Sequence, residues 1–414
     1  MPAARPLKVL LFSTLYPSAA RPGHGGFVET RLRELLGSGE VQAKVVAPVP
    51  WFPSTDPRHG ERARMAATPR QEHRHGIDVL HPRYALPPHI GQNIAPFMLF
   101  LGAWRTLRRL LREGFDFDVI DAHFYYPDGV AAALLARMFD KPLVITARGS
   151  DLNAFGRDAI PRTLMRWASG RAGASVGVCQ ALVEVLRSWQ VDPARLHVIR
   201  NGVDIDRFQP LAPAPARLRI GVDGAPLLVS VGNLVEVKGH DLSIDALALL
   251  VPHWPGVRLC IVGAGPLRQA LQDRAAARGV ADRVHFAGTV PNEALADWYS
   301  AADASLLSSR SEGWANVLLE SMACGTPVVA TDVGGTAEVV ADDRAGIVVR
   351  TRSTEAVAAA VRQLLRQPPD RQAVRDYACG FSWSDTTAAQ LRLFAEVIAA
   401  HSAARASSRE SGAR

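Results

Sequence analysis

The sequence predicts an α/β protein of two doubly wound, Rossmann-like domains facing each other across a cleft. Three observations predict it. Twelve short apolar runs alternate with helical patterns along almost the whole chain, as parallel sheets covered by helices require. A proline- and alanine-rich stretch, DRFQPLAPAPARLRIGVDGAP from Asp206 to Pro226, interrupts that alternation near the middle. Polar, glycine-bearing loops follow the strands of the second half, where open parallel sheets bind ligands.

The strands read in order as 8–13, 44–47, 77–80, 118–121, 143–147, 174–178 and 196–199, then 227–231, 258–262, 284–287, 304–308 and 327–331. Helical periodicity fills 27–37, 94–112, 129–139, 161–170 and 179–189 in the first half. In the second it fills 240–250, 266–278, 292–301, 315–324 and 354–366. Residues 1–205 therefore form an N-terminal domain and 206–383 a C-terminal one, joined by the proline-rich connection. A second boundary lies near Pro368–Pro369. A last helix, 384–401, packs back on the first domain, and the Ser/Arg-rich tail 402–414 is expected to be disordered.

Composition excludes several classes. With 414 residues, 48% hydrophobic and 21% charged, the chain suits a soluble protein with large cores. Cys179, Cys260, Cys324 and Cys379 lack metal-ligand spacing and read as reduced thiols, mostly buried. The first apolar run, LKVLLFSTLYP, carries Lys8 and breaks at Pro17, so it reads as a strand rather than a leader. No stretch reaches the roughly 18 apolar residues of a membrane span. A cytoplasmic protein is expected, at the inner face of the cytoplasmic membrane if its basic surface meets lipid.

The net charge of +7 is unevenly placed. Residues 1–200 hold 26 Lys and Arg against 17 Asp and Glu, and the remainder 21 against 23. The excess points either to an anionic partner of the first half or to coding bias, since arginine outnumbers lysine 43 to 4. In helix 94–112, Arg105, Arg108, Arg109 and Arg112 share one face, with Phe97, Leu101, Trp104 and Leu111 for apolar contact. That helix either lies on anionic lipid or turns a solvated basic face to water.

Five loops of the second half share one rim: GNLVEVKGH, GAGPL, GTVPNE (with Val290), SRSEGWANV and DVGGTAEV. A helix starting near Trp314 presents the N–H groups of Trp314, Ala315, Asn316 and Val317 to an anion, above all a phosphate. Glu312 stands just before that start. Glu320 follows eight residues on, about 80° round the helix and two turns down. As ionised acceptors the two suit hydroxyl-rich groups at either end of one elongated ligand. Gly325 and Pro327 end the helix, and VGG at 333–335 opens the next with backbone close to the ligand.

These residues resemble glycosyltransferase family 4. The resemblance rests on the two glutamates and ACGTPVVATDVGG, and continues through NGVD at 201–204, VGNLVEVKG at 231–239, VGAGP at 262–266, PGHGGFVE at 22–29 and HFYYPDG at 123–129. It implies the two-domain GT-B fold and a hexosyltransferase that moves sugar from a nucleotide-sugar donor with retention of configuration, without metal or other cofactor. By motif, Glu312 would hold donor-sugar hydroxyls, Glu320 the ribose, and the N–H groups of Trp314 to Val317 the sugar and phosphate. Lys238 would neutralise the diphosphate and His123 would contact the sugar near its anomeric carbon. Asn201, Gly263 and Val290 join the donor site. Asn233 departs from the pattern, which usually has arginine there, and Arg148 or Arg310 is expected to supply the missing cation.

Gly25 and Gly26 open helix 27–37, so a second helix N-terminus faces the diphosphate or acceptor, unless they form only a loop. Asp128 and Asp151 are either acceptor-binding or structural. LYPSAARPGHGGFVETRL and VVAPVPWFP resemble the branch that makes teichuronic acid and exopolysaccharide, which implies a lipid-linked saccharide or glycan acceptor and no nucleic acid. A nucleotide-sugar 2-epimerase of the same fold and a non-enzymatic, two-lobed sugar- or nucleotide-binding protein are the rivals. DFD at 116–118 and DID at 204–206 imitate metal-binding aspartate pairs, but the first abuts a strand start and the second belongs to NGVD. The two glutamates are too far apart to flank one glycosidic bond as a glycosidase requires.

Overall fold

The computed structural model describes residues 5–87 and 91–412. The chain divides into two compact units. One comprises Met1–Arg200 with Thr386–Arg414, the other Asn201–Asp385.

The first unit carries β1 (Leu7–Phe12), β2 (Val41–Val46), β3 (Val49–Pro50), β4 (Gln71–Arg74), β5 (Ile77–Leu80), β6 (Arg83–Tyr84), β7 (Val119–His123), β8 (Leu143–Ala147), β9 (Ala174–Gly177) and β10 (Leu196–Val198). Eight of them form one sheet in the order β10-β9-β8-β7-β1-β2-β5-β4, while β3 and β6 pair separately. All neighbours in the large sheet are parallel except β4 and β5. Val9, Leu10, Leu11 and Phe12 are wholly buried, which explains why β1 reads as an unbroken apolar run: helices cover both its faces. The C-terminal helix, Trp383–Gly412, sends Leu393, Phe394 and Val397 into the same core as Val9 and Leu11.

The second unit holds β11 (Leu227–Val231), β12 (Arg258–Val262), β13 (Val284–Gly288), β14 (Ala304–Leu307), β15 (Val328–Thr331) and β16 (Gly346–Val349). They form a six-stranded parallel sheet in the order β13-β12-β11-β14-β15-β16. Its core gathers Leu228, Leu259, Ile261, Leu306 and Val329 from the strands with Leu247, Leu250 and Val361 from the helices.

Each of the twelve expected strands is present, within a few residues. Four were not expected: β3, β4, β6 and β16. The stretch 206–226 is no free connection. Pro213 starts a helix, Pro213–Ile220, and Arg217 ties it to the second unit through Asp303 (2.8 Å) and the Ala301 carbonyl (2.9 Å). Pro is well placed at a first helical position, and an Ala/Leu/Arg run carries the helix on. Pro368–Pro369 separate two helices of this unit, Thr354–Arg366 and Arg371–Cys379, rather than two units. The C-terminal helix does not end at 401. It runs on to Gly412 because alanine and arginine favour helix and no Gly or Pro intervenes; 413–414 lie outside the described residues. Among the described residues no helix is long and apolar enough to cross a membrane.

Candidate active site

In the second unit the sequence of strands reverses direction at β11. Strands β12 and β13 lie to one side, and β14, β15 and β16 to the other. The loops leaving β11 and β14 therefore meet at the switch point, at the carboxyl ends of the strands, the place where doubly wound sheets bind ligands. The ammonium of Lys238, from the first loop, donates to Glu312 Oε1 of the second at 2.6 Å. Ser309 Oγ donates to the same oxygen at 2.6 Å. The Lys238 side chain is 26% exposed and that of Glu312 9%, so the pair lies half-sunk in the surface.

Close backbone packing fixes these loops. Gly239 has φ +66°, and a Cβ there would stand 2.0 Å from the Ser308 carbonyl oxygen. Gly334, at φ +57°, lies equally close to the Glu312 carbonyl oxygen. Gly335 N–H donates to Gly313 O at 3.0 Å, and Arg310 N–H to Val237 O at 2.8 Å. Gly334 and Gly335 thus pack on the backbone of Glu312 and Gly313.

The helix behind Glu312 is Asn316–Ala323, two residues later than expected. A tight turn, closed by the Asn316 N–H on the Trp314 carbonyl at 3.1 Å, delays it, so Trp314 and Ala315 are buried before the helix. Asn316 Oδ1 accepts from Asn201 Nδ2 at 3.2 Å, and Val317 lies half-buried on the first turn. Glu312 is consequently a loop residue, and no helical angle relates it to Glu320. Glu320 has its own anchor: the Tyr299 hydroxyl donates to its Oε2 at 2.9 Å. Burial pushes the Glu320 carboxyl up to about 7, against the Tyr299 hydrogen bond and the charge of Arg207.

The other site residues expected in this unit lie on its strand-end loops. Asn233 is exposed on the β11 loop, Gly263 packs on the Gly232 carbonyl, and Val290 is half-buried beyond β13. Arg310 is 56% exposed and faces Asp241 at 3.8 Å. Arg352, not anticipated, follows β16 and donates from Nε to Ser308 O at 3.1 Å. Burial, then repulsion from Arg310, holds its guanidinium below its ordinary value.

The first unit has its own reversal, between β1 and β7. Gly25 caps helix Gly26–Gly37 with φ +72°, tight against the Leu15 backbone, while a Cβ on Gly26 would meet nothing within 4 Å. Asp128 is wholly buried and accepts from Thr14 through N–H and, at 3.0 Å, through Oγ1. Burial pushes it up to about 7, against those two bonds. Asp151 accepts the N–H groups of Tyr125 (2.7 Å), Arg148 (3.1 Å) and Gly149 (2.7 Å). Both aspartates therefore pin loops, which favours the structural of their two readings.

His123 is 1% exposed. Arg148 has only donors, so its contact with Nδ1 makes that nitrogen the acceptor, and Nε2–H donates to Asp121 Oδ2 at 3.0 Å. Burial lowers His123 to about 4, opposed by Asp121, and the ring is neutral. Both ring nitrogens are engaged, so in this arrangement the imidazole offers no nitrogen to a sugar, unlike the contact the resemblance implied. Arg148 lies over the Phe27 ring at 5.4 Å. It belongs to the first unit, whereas Arg310 shares the rim of Asn233. Asp116 pairs with Lys141 and Asp204 with Arg207; among the described residues no group of three or more His, Cys, Asp or Glu is placed to hold a metal.

Comparison with known proteins identifies the family. Residues 219–380 match the family described as Glycosyl transferases group 1, and 58–207 match Glycosyltransferase Family 4. A D-inositol 3-phosphate glycosyltransferase of Frankia alni is 35% identical over 68% of this chain and 75% of its own. The chain belongs to glycosyltransferase family 4. TuaC of Bacillus subtilis, named for teichuronic acid biosynthesis, is 29% identical over 86% of this family 4 chain and 88% of its own. Sucrose-phosphate synthase of Thermosynechococcus elongatus superposes with TM-score 0.77 at 21% identity, covering 96% of this chain and 100% of the other. HepE of Anabaena, solved with UDP, gives 0.70 at 18% identity over 94% and 99%. The fold is GT-B, and the protein is a glycosyltransferase.

Proposed function

We propose that this transferase moves a sugar, with retention, from a nucleotide-sugar donor to a lipid-linked saccharide or growing glycan during cell-surface polysaccharide assembly. The observation that carries the reading is the Lys238–Glu312 pair at the switch point of the second unit. An incoming diphosphate offers Lys238 a second anion and frees Glu312 to accept hydroxyls of the donor sugar. Glu320 then takes the ribose, and the N–H groups near Asn316 take phosphate and sugar. In the transfer the bond from the anomeric carbon to the phosphate oxygen breaks and one to the acceptor oxygen forms on the same face. The acceptor's proton passes to the departing phosphate, whose growing charge Lys238 stabilises. No step requires a metal.

Three facts support the acceptor class. TuaC aligns over most of both chains, the first half of the sequence is basic, and the arginines of helix Gly91–Arg112 are exposed. A contact with the inner face of an anionic membrane would follow. The first test is thermal stabilisation by UDP-, GDP- and ADP-sugars. The second measures donor turnover with and without lipid-linked acceptor, in EDTA, with a phosphorylated polyol as a parallel acceptor. Acceptor-dependent release of nucleoside diphosphate, with the anomeric configuration kept, bears the proposal out. Epimerised donor without acceptor, or binding without turnover, overturns it.

A further inference from the structure

The cover of the first unit hides a polar chain that no core packing requires. Arg31, on helix Gly26–Gly37, is 2% exposed, and Gln390, on the C-terminal helix, 3%. Arg31 Nε donates to Gln390 Oε1 at 2.9 Å, and Gln390 Nε2 donates to Asp121 Oδ2 at 2.8 Å. The same Asp121 oxygen accepts His123 Nε2–H at 3.0 Å, and His123 Nδ1 accepts from Arg148. Four bonds thus run from Arg31, through a glutamine 359 residues downstream, to a cation at the β1/β7 switch point.

Gln390 stands between opposite buried charges. A buried guanidinium and a buried carboxylate attract strongly when nothing separates them. The amide meets both demands, its oxygen toward Arg31 and its N–H toward Asp121. Asp121 Oδ2 then stays on His123 instead of swinging onto Arg31. The imidazole keeps its proton on Nε2 and presents the Nδ1 lone pair to Arg148.

We propose that Gln390 is a positioning residue of the first unit's site: as a neutral spacer between Arg31 and Asp121, it fixes the tautomer of His123 and thereby the aim of Arg148 at an anionic group of donor or acceptor. The last step rests on the proposed function; the first does not. With Gln390 gone, Arg31 closes on Asp121, His123 loses its fixed partner, and the imidazole samples both tautomers.

The test compares the full-length protein with Gln390→Leu, Gln390→Met and Arg148→Ala. Nitrogen-15 NMR of His123 at pH 7 reads the tautomer without any ligand. Wild type should show a protonated Nε2 and a bare Nδ1. The two Gln390 variants should move both signals toward the average of two tautomers while circular dichroism stays native. Titration with inorganic phosphate reads the cation. Affinity should fall roughly tenfold in the Gln390 variants, the worth of one hydrogen bond to a charged group, and further in Arg148→Ala. Folded Gln390 variants with wild-type His123 signals overturn the proposal, even if they melt earlier. Unchanged phosphate binding in Arg148→Ala, with shifted His123 signals in the Gln390 variants, overturns only the anion reading.

Discussion

Lys238 Nζ sits 2.6 Å from Glu312 Oε1 and so joins the loops of β11 and β14. A strand-order reversal has thus been closed by an ion pair whose members come from segments 74 residues apart. Lys238→Ala should lower kcat roughly 10²–10³-fold with a smaller effect on donor KM, since the charge it answers grows in the transition state. Glu312→Gln should cost both kcat and KM. If the two act as a unit, Lys238→Ala/Glu312→Gln should be little worse than the stronger single variant, whereas multiplicative losses would mean that they work independently. Steady-state kinetics of the four proteins decides.

Glu320 should leave a pH signature in stability. Its carboxyl is pushed from 4.5 to about 7, so the folded protein prefers it neutral. A raised folded value means that its contribution is fully present below about 4.5 and is lost as pH rises through 7. Glu320→Gln removes the titration. Urea unfolding of both proteins from pH 4 to 8 should show the variant gaining on wild type between pH 4.5 and 7 and running parallel above, by on the order of 1–3 kcal/mol. A constant offset across that range would mean that the carboxyl titrates normally.

Much of this arrangement was legible in the sequence, and the misses have physical causes. The apolar runs of β1, β11 and β15 announced themselves because helices bury both faces of a parallel strand. β16 did not: Gly346–Val349 is four residues long and begins with glycine, and without it the loop bearing Arg352 had no strand to follow. The helix start at Asn316 depends on a turn between Trp314 and Asn316, which no capping residue signals. His123 and Asp128 stood out by motif, but their partners, Arg148 and Thr14, come from other strands' loops. Gln390 carried no signal at all: a glutamine on an amphipathic helix acquires meaning only when the fold sets it on Asp121.

Glycines at two positions should respond in opposite ways. Gly334→Ala puts a Cβ 2.0 Å from the Glu312 carbonyl oxygen and keeps an L-residue at φ +57°. The backbone alone costs about 1–2 kcal/mol, and the clash must displace the Glu312 loop, so stability and kcat should fall together. Gly26→Ala meets nothing within 4 Å, at the first position of a helix. It should leave the melting temperature unchanged or raise it slightly. A loss of activity there, in a protein of full stability, would report a ligand approaching the helix start; full activity would give Gly26 no part in binding.

The basic face of helix Gly91–Arg112 offers a test that the fold does not confound. Arg105, Arg108, Arg109 and Arg112 are all exposed, and Phe97 and Leu101, at 41% and 54%, extend the same stripe toward the helix start. Ala95, Leu99, Ala103, Leu107 and Leu110 hold the other side in the core. Reversing the four charges to glutamate therefore touches no buried contact and should shift the melting temperature little. Each arginine near an anionic surface is worth about 1 kcal/mol, so four should decide whether the protein sediments with phosphatidylglycerol vesicles. Wild type should bind them, release them as salt shortens the Debye length, and ignore neutral phosphatidylcholine. The reversed variant should stay in solution with both while keeping its turnover of a water-soluble acceptor. Equal sedimentation of the two proteins would mean that this face meets only water, and that the acceptor reaches the site by another route.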